Sequence, residues 1–337
     1  MTKRPMVSVV VPAYNEAPCL PRLHESLRLA CDPLPFDFEF LFVDDGSRDD
    51  TADVLDRLAQ ADDRVRPLSL SRNFGHQAAL TAGLEHAEGD AVIMMDGDGQ
   101  HPPEVIPLLL DRWRDGFEVV NTVRLDTAGG SYFKAACSDA FYRVFRRLTG
   151  LPISPGSADF RLLDRQALDA LNSLPERHRF IRGLVPWIGF RQAQVEFHAP
   201  ERFAGRSKYT FSRSLRLAIE GMTAFSLYPL RLVTMFGWFV MAFSMAYGLF
   251  ALFNSLVTGS VIRGWTSLIL CVLFFGGGQL VALGIVSEYL GRTLDQVKGR
   301  PVYLVRQARG KPRRALPAPH LRRRLPGLRS NADRTEA

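Results

Sequence analysis

Over the first 125 residues, short and largely apolar runs alternate with longer stretches whose apolar positions recur every three or four residues. The runs are Val7–Val11, Phe38–Val43, Val65–Leu70, Ala91–Met95 and Glu118–Val123; between them lie Glu16–Leu29, Asp50–Gln60, Gln77–His86 and Pro103–Trp113. A strand that is apolar throughout must be covered on both faces, and intervening helices supply that cover. The pattern therefore predicts an α/β domain built on a mostly parallel sheet. From Ser131 to His198 the signal is mixed, with a helix over Tyr132–Leu148, a turn over Leu151–Gly156 and a strand over Arg191–His198. Phe211–Leu227 has apolar residues at 211, 215, 219, 222, 225 and 227, with Arg213, Arg216 and Glu220 on the other side. That spacing suits a helix on the globular core or one lying in a membrane interface.

The adjoining apolar stretches favour the interface. No charged residue occurs between Arg231 and Arg263, and none between Arg263 and Glu288. Leu232–Phe253 is about 22 residues long, roughly 33 Å as a helix, which is enough to span a bilayer, and Trp265–Tyr289 is of similar length. The loop between them holds only Arg263, whereas both outer flanks are rich in Arg and Lys. The positive-inside rule then predicts a multi-pass hairpin in the plasma membrane (the inner membrane, where there are two), with the N-terminal domain and C-terminal tail cytoplasmic. Gly276, Gly277, Gly278 and Gly284 would permit close helix approach, within the hairpin or in an oligomer. The expected organisation is a catalytic domain over 1–210, a juxtamembrane helix over 211–230, a hairpin over 231–290 and a basic tail over 291–337.

Charge changes the picture little. The net charge is +7, but from Lys298 onward twelve Lys and Arg face only Asp333 and Glu336. The basicity belongs to a Pro/Arg-rich tail behind a membrane segment, which reads as a topology signal and a contact for anionic lipid rather than for nucleic acid. The cysteines (Cys19, Cys31, Cys137, Cys271) show neither disulfide nor zinc spacing. Met6–Ala13 is too short for a signal peptide and ends in Tyr14-Asn15-Glu16.

Ligands of parallel α/β sheets bind beyond the carboxyl ends of the strands, and there the polar motifs sit. Val11 leads into Pro12-Ala13-Tyr14-Asn15-Glu16, Val43 into Asp44-Asp45-Gly46-Ser47, Leu70 into Ser71-Arg72-Asn73-Phe74-Gly75, and Met95 into Asp96-Gly97-Asp98-Gly99-Gln100. Alone, Asp96 and Asp98 would read as an acidic turn or a helix cap before Pro102. On a shared rim with Asp44, Asp45 and Glu16 they read as oxygen donors for a hard divalent ion, which a diphosphate would help to coordinate. His76 and His101 lie near this rim but have no second ligand at metal spacing, so they carry no assignment.

The strings Val10–Glu16 (VVPAYNE), Val43–Thr51 (VDDGSRDDT) and Met95–Glu104 (MDGDGQHPPE) resemble those of family 2 glycosyltransferases of the GT-A fold. Arg202–Tyr209 (RFAGRSKY), Glu288–Arg292 (EYLGR) and Val297–Tyr303 (VKGRPVY) narrow the resemblance to polyprenyl-phosphate glycosyltransferases. Those include bactoprenol-phosphate glucosyltransferases and, more distantly, dolichol-phosphate mannose synthases; the likeness covers roughly 5 to 305.

The resemblance implies a GT-A nucleotide-sugar-binding domain and a hexosyltransferase. The reaction would be inverting transfer from a nucleotide-diphosphate sugar to polyprenyl (undecaprenyl) phosphate, serving cell-envelope glycan modification. UDP-glucose is the favoured donor and GDP-mannose the alternative. By the same resemblance Pro12, Tyr14, Glu16, Asp44 and Asp45 hold the nucleoside, while Asp96, Asp98 and Gln100 serve the diphosphate and Mg²⁺ or Mn²⁺, Asp98 as a catalytic group. Arg124, Arg202, Arg206 and Lys208 would meet phosphate oxygens, for which guanidinium forks are suited. For Arg206 and Lys208 the plain alternative is charge flanking a membrane span. Asp159 falls where the family places a catalytic carboxylate near the acceptor. A phosphate monoester is largely ionised at neutral pH, so Asp159 is expected to position groups as much as to take a proton. The resemblance also allows a homo-oligomer such as a tetramer. A processive polymerase is disfavoured by the lack of a Gln-x-x-Arg-Trp string; a non-catalytic membrane scaffold is disfavoured by the intact Asp96, Asp98 and Arg202–Tyr209.

Overall fold

The computed structural model describes residues 4–125, 157–177, 179–198, 228–258 and 264–308. At its centre are four parallel strands, β1 (Met6–Ala13), β2 (Asp37–Asp44), β3 (Val65–Leu70) and β4 (Ala91–Met94), in spatial order β4-β1-β2-β3. All of β4 is buried, as is everything in β1 after Met6 and in β2 after Asp37. Alternation then sorts the side chains. Val7, Val9, Val11, Phe38, Phe40, Phe42 and Ile93 pack under α1 (Leu20–Cys31), α2 (Thr51–Ala61) and α4 (Ile106–Arg114). Val10, Leu41, Val43, Val92 and Met94 pack against α3 (His76–His86), α5 (Arg165–Ser173) and α6 (Ile181–Trp187).

Three further strands, β5 (Val119–Leu125), β6 (Ser157–Asp164) and β7 (Gln192–His198), extend the sheet beyond β4, and β8 (Val305–Ala308) closes its other edge. The order is β7-β5-β6-β4-β1-β2-β3-β8. The expected parallel sheet is thus mixed, though mostly parallel. β6 runs antiparallel between β4 and β5, so it begins at the rim where they end.

The stretch from 291, read from sequence as the start of the tail, is instead helix and sheet edge. The helix α8 (Trp265–Lys298) continues to Lys298, and β8 then pairs antiparallel with β3. The Ser71 N–H donates to the Leu304 carbonyl at 2.8 Å. The Gln296 amide donates to the Pro175 carbonyl at 2.7 Å and accepts the Arg177 N–H at 3.0 Å. A bare β3 edge would leave a row of unpaired backbone groups, and β8 covers it. The expected helix 132–148, turn 151–156, loop 202–209, helix 211–227 and the tail from 309 lie outside the described residues.

Among the described residues one helix is long and apolar enough to cross a membrane. It is α7 (Tyr228–Thr258), through its window Leu230–Tyr247 with mean hydropathy 1.4. Its apolar side chains face outward, Trp238 at 62% and Phe239 at 68% exposure, as do Phe274 and Leu280 of α8. Such a surface calls for an apolar surrounding or partner. A Cβ added to Gly278 of α8 would stand 3.2 Å from the Phe236 ring of α7, whereas at Gly276, Gly277 and Gly284 it would meet none of the described atoms. Gly278 therefore serves the approach of the two long helices.

At the end of the sheet away from the strand carboxyl ends, a charged knot ties α1, α2 and β3. Arg64 donates two hydrogen bonds at 2.9 Å to the Asp62 carboxylate, which also meets His24 Nε2 at 3.0 Å, and Arg64 reaches Asp32 at 2.7 Å. Burial works to raise the Asp62 pKa, but the Arg64 and His24 hydrogen bonds outweigh it and hold the carboxyl down at about 2. A depressed folded-state pKa contributes stability above the unfolded value near 4 and loses it as pH falls toward 2, about 2 kcal/mol in all. Asp62→Asn should therefore lower unfolding stability by about that amount at pH 6. The gap to the unsubstituted protein should narrow in denaturant titrations between pH 4 and pH 2; a gap independent of pH would refute this.

Candidate active site

The site begins with the clasp between the loops after β1 and β2. Asn15 takes a left-handed conformation (φ 54°), which turns the chain so that its N–H reaches Ser47 Oγ at 3.0 Å and its side-chain oxygen accepts the Arg48 N–H at 2.9 Å. The Glu16 N–H donates to Thr51 Oγ1 at 3.0 Å. Asp44 closes the turn by accepting the Ser47 N–H at 2.9 Å. Gly46 (φ 66°) presses its Cα against the Arg72–Asn73 backbone, where a Cβ would collide.

Asp45, 3% exposed, accepts the Phe74 and Gly75 N–H groups at 2.7 and 2.9 Å, one on each oxygen. Burial raises its pKa despite these bonds. It fixes the β3–α3 loop, and each oxygen keeps a second lone pair. Arg72 stacks over Phe74 at 4.1 Å on the same loop. Pro12 is buried and Tyr14 half-buried beside this clasp.

The acidic turn after β4 is held from three sides. Gly97 lies against the Glu16 carboxylate, and any side chain there would displace it. The Asp96 N–H donates to His101 Nδ1 at 2.8 Å, and the Asp96 carboxylate receives His76 Nε2 at 2.8 Å. Asp98 accepts the Gln100 N–H at 3.1 Å. Burial opposes protonation of His76, but the Asp96 bond prevails and lifts its pKa to about 9. Desolvation would raise Asp96, yet His76, His101 and Arg182 hold it far below the usual carboxylate range. Desolvation keeps His101, stacked on Phe160 at 5.2 Å, on the neutral side.

Asp159, at the start of β6, is 6% exposed. Arg182 of α6 grips it in a fork, Nε to Oδ1 at 2.8 Å and Nη2 to Oδ2 at 3.0 Å, with Arg161 Nη2 3.7 Å from Oδ1. Desolvation favours the neutral acid, and the two arginines reverse that, so Asp159 stays ionised. Gln77 links the helices above, accepting the Ile181 N–H at 3.3 Å and reaching His76 Nδ1 at 3.4 Å.

The rim thus gathers Pro12, Tyr14, Glu16, Asp44, Asp45, Asp96, Asp98, Gln100 and Asp159, with Arg124 exposed near the end of β5. Arg202, Arg206 and Lys208 lie outside the described residues. Arg161 and Arg182 join the site without a sequence motif to announce them, since an arginine in the stretch Arg179–Gly183 looks like any helix-surface arginine; His76 and His101, the latter inside the Met95–Glu104 string, lie near the rim in the sequence but carry no assignment there. The donors in the acidic turn are carboxylate oxygens, which fit a hard divalent ion. Among the described residues no three or more His, Cys, Asp or Glu side chains form a ready cage. The turn therefore fits an ion that takes its other ligands from a diphosphate or water.

The model of the family described as glycosyl transferase family 2 matches residues 8–171. An uncharacterized glycosyltransferase of Bacillus subtilis, YkcC, is 39% identical over 92% of this chain and 96% of its own. The SfII prophage-derived bactoprenol glucosyl transferase of Shigella flexneri is 39% identical over 91% and 99%. Among solved structures, glucosyl-3-phosphoglycerate synthase of Mycobacterium tuberculosis, with Mn²⁺, UDP and phosphoglyceric acid, has a TM-score of 0.46. It is 21% identical over 65% of this chain and 76% of that one, a likeness too loose to bear on the chemistry.

The contact at Gly97 makes a separable prediction. A Cβ there meets the end of a flexible side chain, so Gly97→Ala should leave the melting temperature within a few degrees of the parent. It should displace Glu16 and the acidic turn by a fraction of an ångström or more, costing on the order of 10²-fold in turnover. A variant with parental turnover would show that this packing does not set the site.

Proposed function

This chain belongs to glycosyltransferase family 2 and is a hexosyltransferase, and we propose that it moves a hexose from a nucleotide-diphosphate sugar, UDP-glucose first among candidates, to polyprenyl phosphate at a membrane surface. The observation that carries the proposal is continuity. The sheet that bears the acidic turn at its rim is completed by the strand that comes after the two long apolar helices, and Gln296 stitches the end of α8 to the α5–α6 linker. An acceptor dissolved in a bilayer demands a catalytic rim tied to a membrane element. On this reading α7 and α8 form a two-span hairpin, with the sheet on the cytoplasmic side of the plasma membrane and the segment 211–230 in the interface. The name of the Shigella relative, bactoprenol glucosyl transferase, supports the lipid acceptor and the glucosyl donor.

In the reaction, an oxygen of the acceptor phosphate attacks the anomeric carbon as the bond to the diphosphate breaks. The nucleoside diphosphate leaves with the electron pair, inverting the configuration. Pro12, Tyr14, Glu16, Asp44 and Asp45 shape the nucleoside end. Asp96, Asp98 and Gln100 would hold Mg²⁺ or Mn²⁺, which when bound offsets the charge of the leaving diphosphate. Arg124, Arg202, Arg206 and Lys208 would share the phosphate oxygens. His76 keeps the Asp96 carboxylate ionised, and His101 orients the turn by accepting the Asp96 N–H.

Purified protein in detergent, given radiolabelled UDP- and GDP-sugars and polyprenyl phosphate, should place label in the lipid phase only with Mg²⁺ or Mn²⁺ present. Asp98→Asn should lower that label at least about 100-fold. Label from GDP-mannose alone would make the chain a mannose synthase of the same type. Donor binding with no lipid-linked product from any sugar would contradict the proposed acceptor.

A further inference from the structure

The cluster around Asp159 is arranged in the wrong order for its carboxylate to meet substrate. A general base must come within hydrogen-bond reach of the proton it removes. Here the Asp159 side chain is 8% exposed and both its oxygens are engaged by Arg182, at 2.8 and 3.0 Å. Arg161, 1% exposed, backs the pair from below, whereas Arg182 is the most exposed of the three at 23%. Exposure therefore rises from Arg161 through Asp159 to Arg182. The field of Arg182 reaches Asp96, His76 and His101 on the acidic turn. Its backbone is tied to that side of the rim as well, because the neighbouring Ile181 N–H bonds Gln77, which meets the His76 ring.

A forked ion pair fixes a guanidinium in plane and in rotation. Burying such a pair is costly unless its geometry is good and its other groups are used. A cation so held, beside a turn suited to a diphosphate, is placed to receive phosphate oxygens.

We propose that Arg182 is the group of this cluster that faces substrate, a phosphate-binding guanidinium, and that Asp159 is a positioning residue that acts through it. The proposal rests on the sugar-transfer reading for its context and specifies which residue meets phosphate. The phosphate has two sources in that reaction, the donor diphosphate and the acceptor monoester. They share one chemistry, and the test separates them.

The test uses the full chain in detergent and calorimetric titration with UDP, uridine, inorganic pyrophosphate and a short isoprenyl phosphate, beside steady-state kinetics. Arg182→Ala should weaken at least one phosphate probe about 10- to 100-fold, the usual range for a lost charged hydrogen bond, and leave uridine unchanged. Loss on UDP and pyrophosphate assigns the donor diphosphate; loss on the isoprenyl phosphate assigns the acceptor. Asp159→Asn should weaken the same probe, and the double variant should be no worse than Arg182→Ala. The acid limb of the kcat profile in Asp159→Asn should keep its parental shape, which an essential base at Asp159 would not allow. Arg182→Lys keeps the charge without the fork and should fall between; it decides the matter if the alanine variant does not fold. Parental binding of every phosphate probe by a folded Arg182 variant overturns the proposal. So does Asp159→Asn losing the acid limb while Arg182→Ala stays active. Absence of transfer even by the parent would sink the sugar-transfer reading, while the binding arms still decide the role of Arg182.

Discussion

The site depends on one topological constraint, the entry of β6 antiparallel between β4 and β5. A fully parallel sheet would send every strand end to the rim and every strand start away from it. Reversing one strand brings a strand start, with Asp159, beside the strand end that carries Asp96. β6 pairs with β4 over Arg161–Asp164 and with β5 on its other side, where the register shifts between Asn121 and Val123 and Thr122 Oγ1 donates to the Phe160 carbonyl at 2.7 Å. The next residue, Phe160, stacks on His101, whose Nδ1 accepts the Asp96 N–H, so the two acids are coupled through packed side chains.

Six carboxylates then share one rim: those of Glu16, Asp44, Asp45, Asp96, Asp98 and Asp159. Such a gathering is unfavourable unless each is occupied. Backbone amides from neighbouring loops occupy Asp44 and Asp45. A histidine meets Asp96, and a guanidinium fork meets Asp159. The cations come from α3, α6 and β6, on the face of the sheet covered by α3, α5 and α6. The rim is thereby preorganised for a ligand that brings negative charge and a cation together, and preorganised charge of this kind is where enzymes find much of their transition-state stabilisation.

The parallel core is legible in the sequence because strands buried on both faces must be apolar throughout. The strands and helices read from Val7 to Val123 match β1 to β5 and α1 to α4 to within a few residues. The acidic turn is legible because its carboxylates come directly after such a strand. Other features have no local signature. β8 is four residues long, Val-Arg-Gln-Ala, and becomes a strand only because β3 offers an edge. The direction of β6 is a tertiary property that no period in Ser157–Asp164 encodes. Asp45 looks like a ligand for a base in the sequence, and its two bonds to the β3–α3 loop exist only once Phe74 and Gly75 are folded against it. Arg182 pairs with a residue 23 positions away, beyond any helix or strand repeat.

If the β4 turn and the Asp159–Arg182 cluster together seat a nucleotide-sugar diphosphate, an experimental structure of the full chain in a lipid nanodisc with UDP and Mn²⁺ should show it. Diphosphate density is expected at the turn of Asp96 and Asp98, with the nucleoside running toward Tyr14 and Asp45 and the lipid surface on the side of α7. Nucleotide bound away from this rim, with Asp96 and Asp98 remote from the diphosphate, would be incompatible with such a seat.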